Sequence, residues 1–218
     1  MAPNALLADP LVLRAEDGTA LPLDPDRWHA EPSVDEEAFL ATMAPPVLDV
    51  GCGPGRLVLG LARRGAVALG VDPAPAAVAL ARNRGAAVLQ RSVFDPLPGQ
   101  GRWRTILLAD GNIGIGGDPA RLLRRCHDLL ATDGTVVVEV EAPPPGAISG
   151  WHHHRVRLER GHHYGPWFSW AVVGADAIAG LAAAAGLELL RLHPIATEGR
   201  WFAHLGRPRP GTRSVAVA

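Results

Sequence analysis

The sequence has no lysine: all 21 of its basic residues are arginine. With so many Ala, Gly and Pro, this reads as codon bias in a GC-rich bacterial genome. Arginine content is therefore not taken as a sign of phosphate recognition. Charge of one sign is also lacking. The net charge is −1 and no strong basic block occurs, so nothing in the sequence suggests nucleic acid as a partner. There are only two cysteines, too few for a disulfide framework in 218 residues. Cys52 lies in a glycine-rich turn, and Cys126 falls in an expected helix as a packed small hydrophobe. No stretch approaches the ~20 apolar residues that span a bilayer. Met1 to Pro10 lacks the basic start and apolar run of a signal peptide. These absences lead to the expectation of a cytoplasmic protein with no membrane partner. No internal repeat is visible.

What remains is one domain of ordinary size, with 48% apolar and 20% charged residues, enough for a sizeable core. Its organising stretch is Val47-Leu48-Asp49-Val50-Gly51-Cys52-Gly53-Pro54-Gly55. Val47 to Val50 reads as a buried strand. A glycine turn follows, and Arg56 to Arg64 reads as a helix ended by Gly65. Strand, glycine turn and helix bring a bare backbone and a helix N-terminus up to a nucleotide-like ligand. Ala66 to Asp72 reads as a second strand ending in an acid. Asp72 lies 21 residues after Gly51, a spacing suited to a carboxylate that accepts from ribose hydroxyls.

Asp49, Gly51, Gly53 and Gly55 form an Asp-x-Gly-x-Gly-x-Gly pattern. This resembles motif I of the class I S-adenosylmethionine-dependent methyltransferases. The dinucleotide fingerprint is close, but Arg56 stands where its last glycine would be. The order of elements over residues 45 to 206 also matches the methyltransferase family. The resemblance implies a Rossmann-like α/β fold. Its seven-stranded sheet is mostly parallel, with an antiparallel closing hairpin and helices on both faces. It implies S-adenosyl-L-methionine as cofactor, held by Asp49, Gly51, Gly53, Asp72, Pro73, Ser92, Val93, Asp110 and Gly111.

The remaining elements follow in order. Leu11 to Leu23 suggests a hairpin around Asp17-Gly18, and Ser33 with Glu36 forms a capping box for the next helix. In the family such an arm often folds over the ligand as a lid. Trp28 then either lines the site or packs the arm onto the body. Pro75 to Arg84 reads as helix, and Ala87 to Val93 as the third strand. The family's adenine contact falls either on Ser92-Val93, the alignment preferred, or on Asp95. Trp103 to Asp110 is the fourth strand, and an ordered glycine-rich loop after it places Asp110 and Asn112 near the methionine end of the cofactor or at the substrate. Asp118 and Pro119 open a helix with one apolar face, and Thr135 to Glu141 is the fifth strand.

Domain organisation is expected as a single domain. It comprises a lid arm (1–45), a cofactor core (46–142), an inserted substrate hairpin (143–173), a closing helix and hairpin (174–206) and a disordered tail (207–218). The insertion, two strands around Arg160-Gly161, is compositionally special. Residues 151–170 hold five of the nine histidines and five of the eleven aromatics. One reading makes it a lid over the reacting centre with a histidine base, so His152, His154 and His163, with Asn112, are the catalytic candidates. Rival readings are solvated histidines, a histidine metal site, which is not expected because no Asp or Cys completes it, and an aromatic homodimer interface. The favoured function is methyl transfer to a small aromatic or apolar acceptor. The alternatives are an NAD(P)-dependent oxidoreductase and a non-catalytic S-adenosylmethionine-binding protein.

Overall fold

The computed structural model describes residues 9–143, 148–195 and 199–208. The chain opens with a hairpin, β1 (Leu11–Ala15) and β2 (Ala20–Pro22), turned at Asp17-Gly18. Gly18 takes φ 89°, and the Asp17 carboxylate accepts from the Thr19 amide at 2.8 Å. Two short helices follow, α1 (Pro25–His29) and α2 (Val34–Leu40). The expected capping box forms on α2: Ser33 accepts from the Glu36 amide while Glu36 accepts from the Ser33 amide, both at 3.1 Å.

The body alternates strand and helix: β3 (Val47–Val50), α3 (Arg56–Arg63), β4 (Ala68–Asp72), α4 (Pro75–Asn83), β5 (Val88–Gln90) and β6 (Trp103–Leu108). After a 3-10 segment at Asn112–Gly117 come α5 (Pro119–Leu129) and β7 (Leu130–Val140). The inserted region forms β8 (Trp151–Arg160), β9 (His163–Tyr164) and β10 (Phe168–Val173). The chain closes with α6 (Ile178–Ala184), β11 (Glu188–Ile195) and β12 (Arg200–Gly206). No described helix is long and apolar enough to cross a membrane.

Seven strands form the main sheet in the order β11-β12-β7-β6-β3-β4-β5. Its pairings are parallel from β7 to β5, while β12 runs antiparallel to both β7 and β11. One face buries Leu48, Ile106, Val136 and Val138 beneath Leu122, Cys126 and Leu129 of α5 and Ile178 of α6. The other buries Val47, Leu107, Val137 and Phe202 beneath Phe39 and Leu40 of α2 and Leu57 and Leu61 of α3. Successive connections leave β3 in opposite directions, so the switch point lies between β3 and β6.

Some boundaries move for physical reasons. The third strand shrinks to Val88–Gln90 because Ser92 enters a turn, where Asp95 Oδ2 accepts from its amide at 2.9 Å. The fourth strand stops at Leu108, because Asp110 turns the backbone to φ 52°. The fifth begins at Leu130, where the backbone turns extended directly after α5 and pairs with Trp103. Residues 144–147 of the insertion, and the tail from residue 209, lie outside the described residues.

The larger difference concerns the arm and the insertion. Expected as separate pieces, they share a second sheet in the order β10-β8-β1-β2. β1 pairs antiparallel with β8 from Leu11–Arg160 to Ala15–Val156. Leu13, Ala15 and Val156 are buried together on one face of it, with Leu23, Phe168 and Trp170 packed against them.

Candidate functional site

The site assembles at the carboxyl ends of β3, β4, β5 and β6, where an open α/β sheet holds its ligand. Gly51, Gly53 and Gly55 all take positive φ, which glycine adopts without a Cβ penalty. Space matters as well at Gly51. A Cβ there would stand 2.7 Å from Asn112 Nδ2. That amide nitrogen donates to the carbonyls of Val50 and Gly51 at 2.9 and 3.0 Å. Asn112, expected beside the reacting atoms, thus braces the glycine turn.

Asp72 braces the same turn from β4. Its Oδ2 accepts from the Gly53 amide at 3.0 Å, and its Oδ1 accepts from the Ala74 amide, across Pro73, at 2.8 Å. Each oxygen keeps a further lone pair. Asp49 lies fully beneath the turn. Burial, reinforced by the Asp110 carboxylate, pushes its carboxyl up to about 7. Ser92 Oγ accepts from the Phe94 amide at 3.2 Å, and the Arg121 guanidinium lies 4.3 Å over the Phe94 ring. Val93 buries its side chain in the core and gives its carbonyl to Arg125 at 2.9 Å.

At the end of β6, Asp110 and Gly111 both take left-handed conformations. A non-glycine residue there is uncommon and marks a built position. Four contacts hold Asp110. Its amide donates to Glu139 Oε2 at 2.5 Å, Arg200 reaches Oδ1 at 2.9 Å, Arg56 reaches Oδ2 at 3.3 Å, and Arg27 stands 3.9 Å away. Arg200 also makes a bidentate pair with Glu139 and reaches Glu36 at 2.7 Å, while Arg56 meets Glu36 at 2.5 Å. Three guanidiniums thus interlock with three carboxylates. Burial would raise the Glu36 carboxyl, but the Arg56 hydrogen bond and charge outweigh it and hold the group down to about 2. Burial likewise opposes the charges on Arg56 and Arg200, and their carboxylate partners overcome it.

The histidines stand apart from this arrangement. His152 is exposed, with Nε2 2.9 Å from the Ser149 carbonyl oxygen. His154 is half-buried opposite Trp170 on β10. His163 is exposed on β9 and pairs with Arg160, about 30 Å along β8 from Trp151 at ~3.3 Å per residue. The structure does not bring these three to a common point. Among the described residues no group of three or more His, Cys, Asp or Glu is placed to hold a metal. A cavity of about 550 Å³ lined by Leu40, Met43, Pro45, Leu61 and Ala66 lies at the opposite, amino-terminal end of the sheet.

Sequence reasoning missed Arg27, Glu36, Arg56, Glu139 and Arg200 as members of the site. Two signals were present. Glu139 is a charge inside a β-branched strand, and Arg56 replaces the small residue expected after the glycines.

This constellation, a braced glycine turn and an acid-tipped second strand at a switch point, defines a nucleotide-type ligand site on an α/β sheet. A family model described as a methyltransferase domain matches residues 23–192, and the chain belongs to that family. The ubiquinone biosynthesis O-methyltransferase of Pseudomonas paraeruginosa is 34% identical over 143 residues, 60% of this chain and 60% of that protein. That of Pseudomonas aeruginosa matches to the same extent. The match thus spans well under two thirds of these curated relatives. Among solved structures, a SAM-dependent methyltransferase from Bacteroides fragilis in complex with S-adenosyl-L-homocysteine superposes with a TM-score of 0.75. It is 21% identical, covering 92% of this chain and 88% of that one. The CcbJ methyltransferase of Streptomyces caelestis gives a TM-score of 0.61 at 18% identity, covering 80% and 94%. The sugar N-methyltransferase KedS8 from Streptoalloteichus gives 0.58 at 23%, covering 88% and 96%. At these identities the structures speak for the fold.

Proposed function

We propose that this chain binds S-adenosyl-L-methionine in the crevice over β3, β4 and β6 and transfers its methyl group to a small organic acceptor. The observation that carries the reading is the glycine turn braced on both sides, by Asn112 and by Asp72, beside carboxylates at three strand ends. The donor set suits the group. Asp72 keeps lone pairs for ribose hydroxyls, and the bare backbone of Gly51 and Gly53 permits close approach. The Asp72 carboxylate, which meets backbone amides and no described guanidinium, lends the turn negative potential, which favours a ligand with a sulfonium and an ammonium over the pyrophosphate of a dinucleotide. When bound, S-adenosylmethionine supplies an electrophilic methyl carbon on a sulfonium.

The protein's own contribution is then alignment and water exclusion, worth ~7–11 kcal/mol at near-attack distance. Asp72 and the glycine turn fix the nucleoside end. The site residues at β5 and β6, with Ser92, Val93, Asp110 and Gly111, line the remainder. The second sheet supplies the acceptor wall, with Phe168 and Trp170 stacked edge to face at 6.1 Å between centroids. The activities for which the relatives are named, methylation of oxygen in one group and of nitrogen in another, agree with a small acceptor.

Calorimetric titration with S-adenosylmethionine, S-adenosylhomocysteine and NADH tests the reading. Micromolar binding of the first two is expected, weakened at least tenfold in Asp72→Ala. Binding of NADH alone would replace the reading with an oxidoreductase.

A further inference from the structure

Asp110 is held by its side chain and, separately, by its backbone. Arg200 and Arg56 reach the carboxylate, while the backbone amide donates to Glu139 Oε2 at 2.5 Å. That amide has left the sheet. The ladder between β6 and β7 ends with Leu108 opposite Val138. Beyond it the Asp110 N–H bonds the next side chain of β7 in place of a strand carbonyl.

This stretch of backbone is the one that needs holding. Among the described residues Asp110 is the one non-glycine with a positive φ, 52°, and Gly111 continues the turn at 77°. A left-handed residue with a Cβ persists only where its surroundings fix it. Glu139 is itself fixed. Arg200, a buried residue, donates from Nε to Glu139 Oε1 at 2.7 Å and from Nη2 to Oε2 at 2.5 Å. A bidentate pair of this kind gives the carboxylate a set direction.

What the turn delivers is Asn112. Its amide donates back to the Ala109 carbonyl at 3.0 Å, and its side chain donates to the carbonyls of Val50 and Gly51. The fit is close, because a Cβ on Gly51 would stand 2.7, 2.8 and 2.9 Å from three side-chain atoms of Asn112. A different φ at Asp110 would swing Asn112 off the glycine turn. A line of contact thus runs from β7 to that turn, through Glu139, the Asp110 amide, Asn112 and Gly51.

We propose that Glu139 is a positioning residue for the cofactor. It sets the Asp110–Gly111 turn and, through Asn112, the shape of the glycine cradle. This rests on the methyltransferase reading above. The role is separable from the ion pair with Arg200, because glutamine at this position keeps an oxygen for the amide and loses the charge.

The test compares the full chain as wild type, Glu139→Gln and Glu139→Ala. S-adenosylhomocysteine affinity is measured by titration, and amide exchange is followed without ligand. Both variants lose the charge, so any stability lost with the ion pair is common to the two, and the difference between them reads the amide contact. Glu139→Ala should bind S-adenosylhomocysteine roughly ten- to hundredfold more weakly than wild type, the worth of a hydrogen bond to a charged group. Glu139→Gln should stay within about threefold of wild type, since the neutral bond to the amide remains. Without ligand, the Asp110 amide should exchange roughly tenfold faster in Glu139→Ala than in Glu139→Gln. A wild type that binds no S-adenosylhomocysteine overturns the methyltransferase reading and this role with it. Where wild type binds, either of two results overturns the positioning role alone. One is Glu139→Ala binding like wild type. The other is Glu139→Gln binding tenfold or more weakly, which would assign the effect to the ion pair.

Discussion

Glu36 shows how a single side chain can tie the amino-terminal segment to the sheet. It sits on α2, yet its carboxylate meets Arg27, Arg56 and Arg200. Its ionisation lies well below the ordinary 4.5, at about 2 in the folded chain. A carboxyl depressed on folding adds stability that is present above the unfolded value and lost as pH falls through the folded one. The gap corresponds to ~3 kcal/mol, present above about pH 4.5 and gone near pH 2. Urea unfolding of wild type and Glu36→Gln between pH 3 and pH 7 should show wild type the more stable at pH 7, the difference narrowing steadily below pH 5. A difference independent of pH would remove the ion pairs from this account. The residues of this network also mark the limit of what the chain reveals when read in order. Asp49 and Asp72 were legible, since the glycines that give them meaning lie within 21 positions. Arg200 was not, because it meets Glu36 across 164 positions and Glu139 across 61. No local periodicity encodes those meetings.

At the scale of elements, most of the main sheet was legible. β-branched runs and caps act through neighbours, as at Ser33 with Glu36 and Asp118 with Arg121. The second sheet was not, because its β1–β8 ladder joins residues about 145 apart, and neither strand signals its partner. What fixes that sheet to the body is equally non-local. The edge strand β10 runs against the 3-10 segment so closely that a Cβ on Gly114 would lie 2.2 Å from the Ala171 carbonyl oxygen and 2.6 Å from the Trp170 ring. Backbone and indole cannot both yield there. Gly117 repeats the device, with His153 and Ser169 above it. Glycine at 114 is therefore a packing requirement of the interface, where extra volume costs ~1–3 kcal/mol. Gly114→Ala should lower the unfolding free energy by that amount and bring earlier proteolytic cleavage between Trp151 and Tyr164, with β3–β7 still protected. Unchanged cleavage would show that other contacts hold the second sheet.

For the whole molecule, these attachments place the second sheet between two anchors. β10 grips the loop after β6, and Arg27 of α1, which follows β2, reaches Glu36 and Asp110 at the crevice. The two anchors differ in strength. β10 ends in three buried residues, whereas α1 is five residues long with none buried. Segments with little buried surface open at the low end of the local stability range. The amino-terminal anchor is thus the one that yields first, which is what a lid over a ligand must do to admit it. A ligand bound at 100 times its dissociation constant adds ~2.7 kcal/mol to global stability, and any element that closes on the ligand gains protection beyond its own free-state level. Hydrogen exchange with and without saturating S-adenosylhomocysteine separates the two effects. The amides of β3, β6 and β7, already opening only globally, should slow in proportion to the global gain. Those of Asp24 to His29 and of β2 should start nearly unprotected and become measurably protected. If they exchange equally fast in both states, the arm is not the lid, and entry to the crevice must be controlled from β10 and the insertion instead.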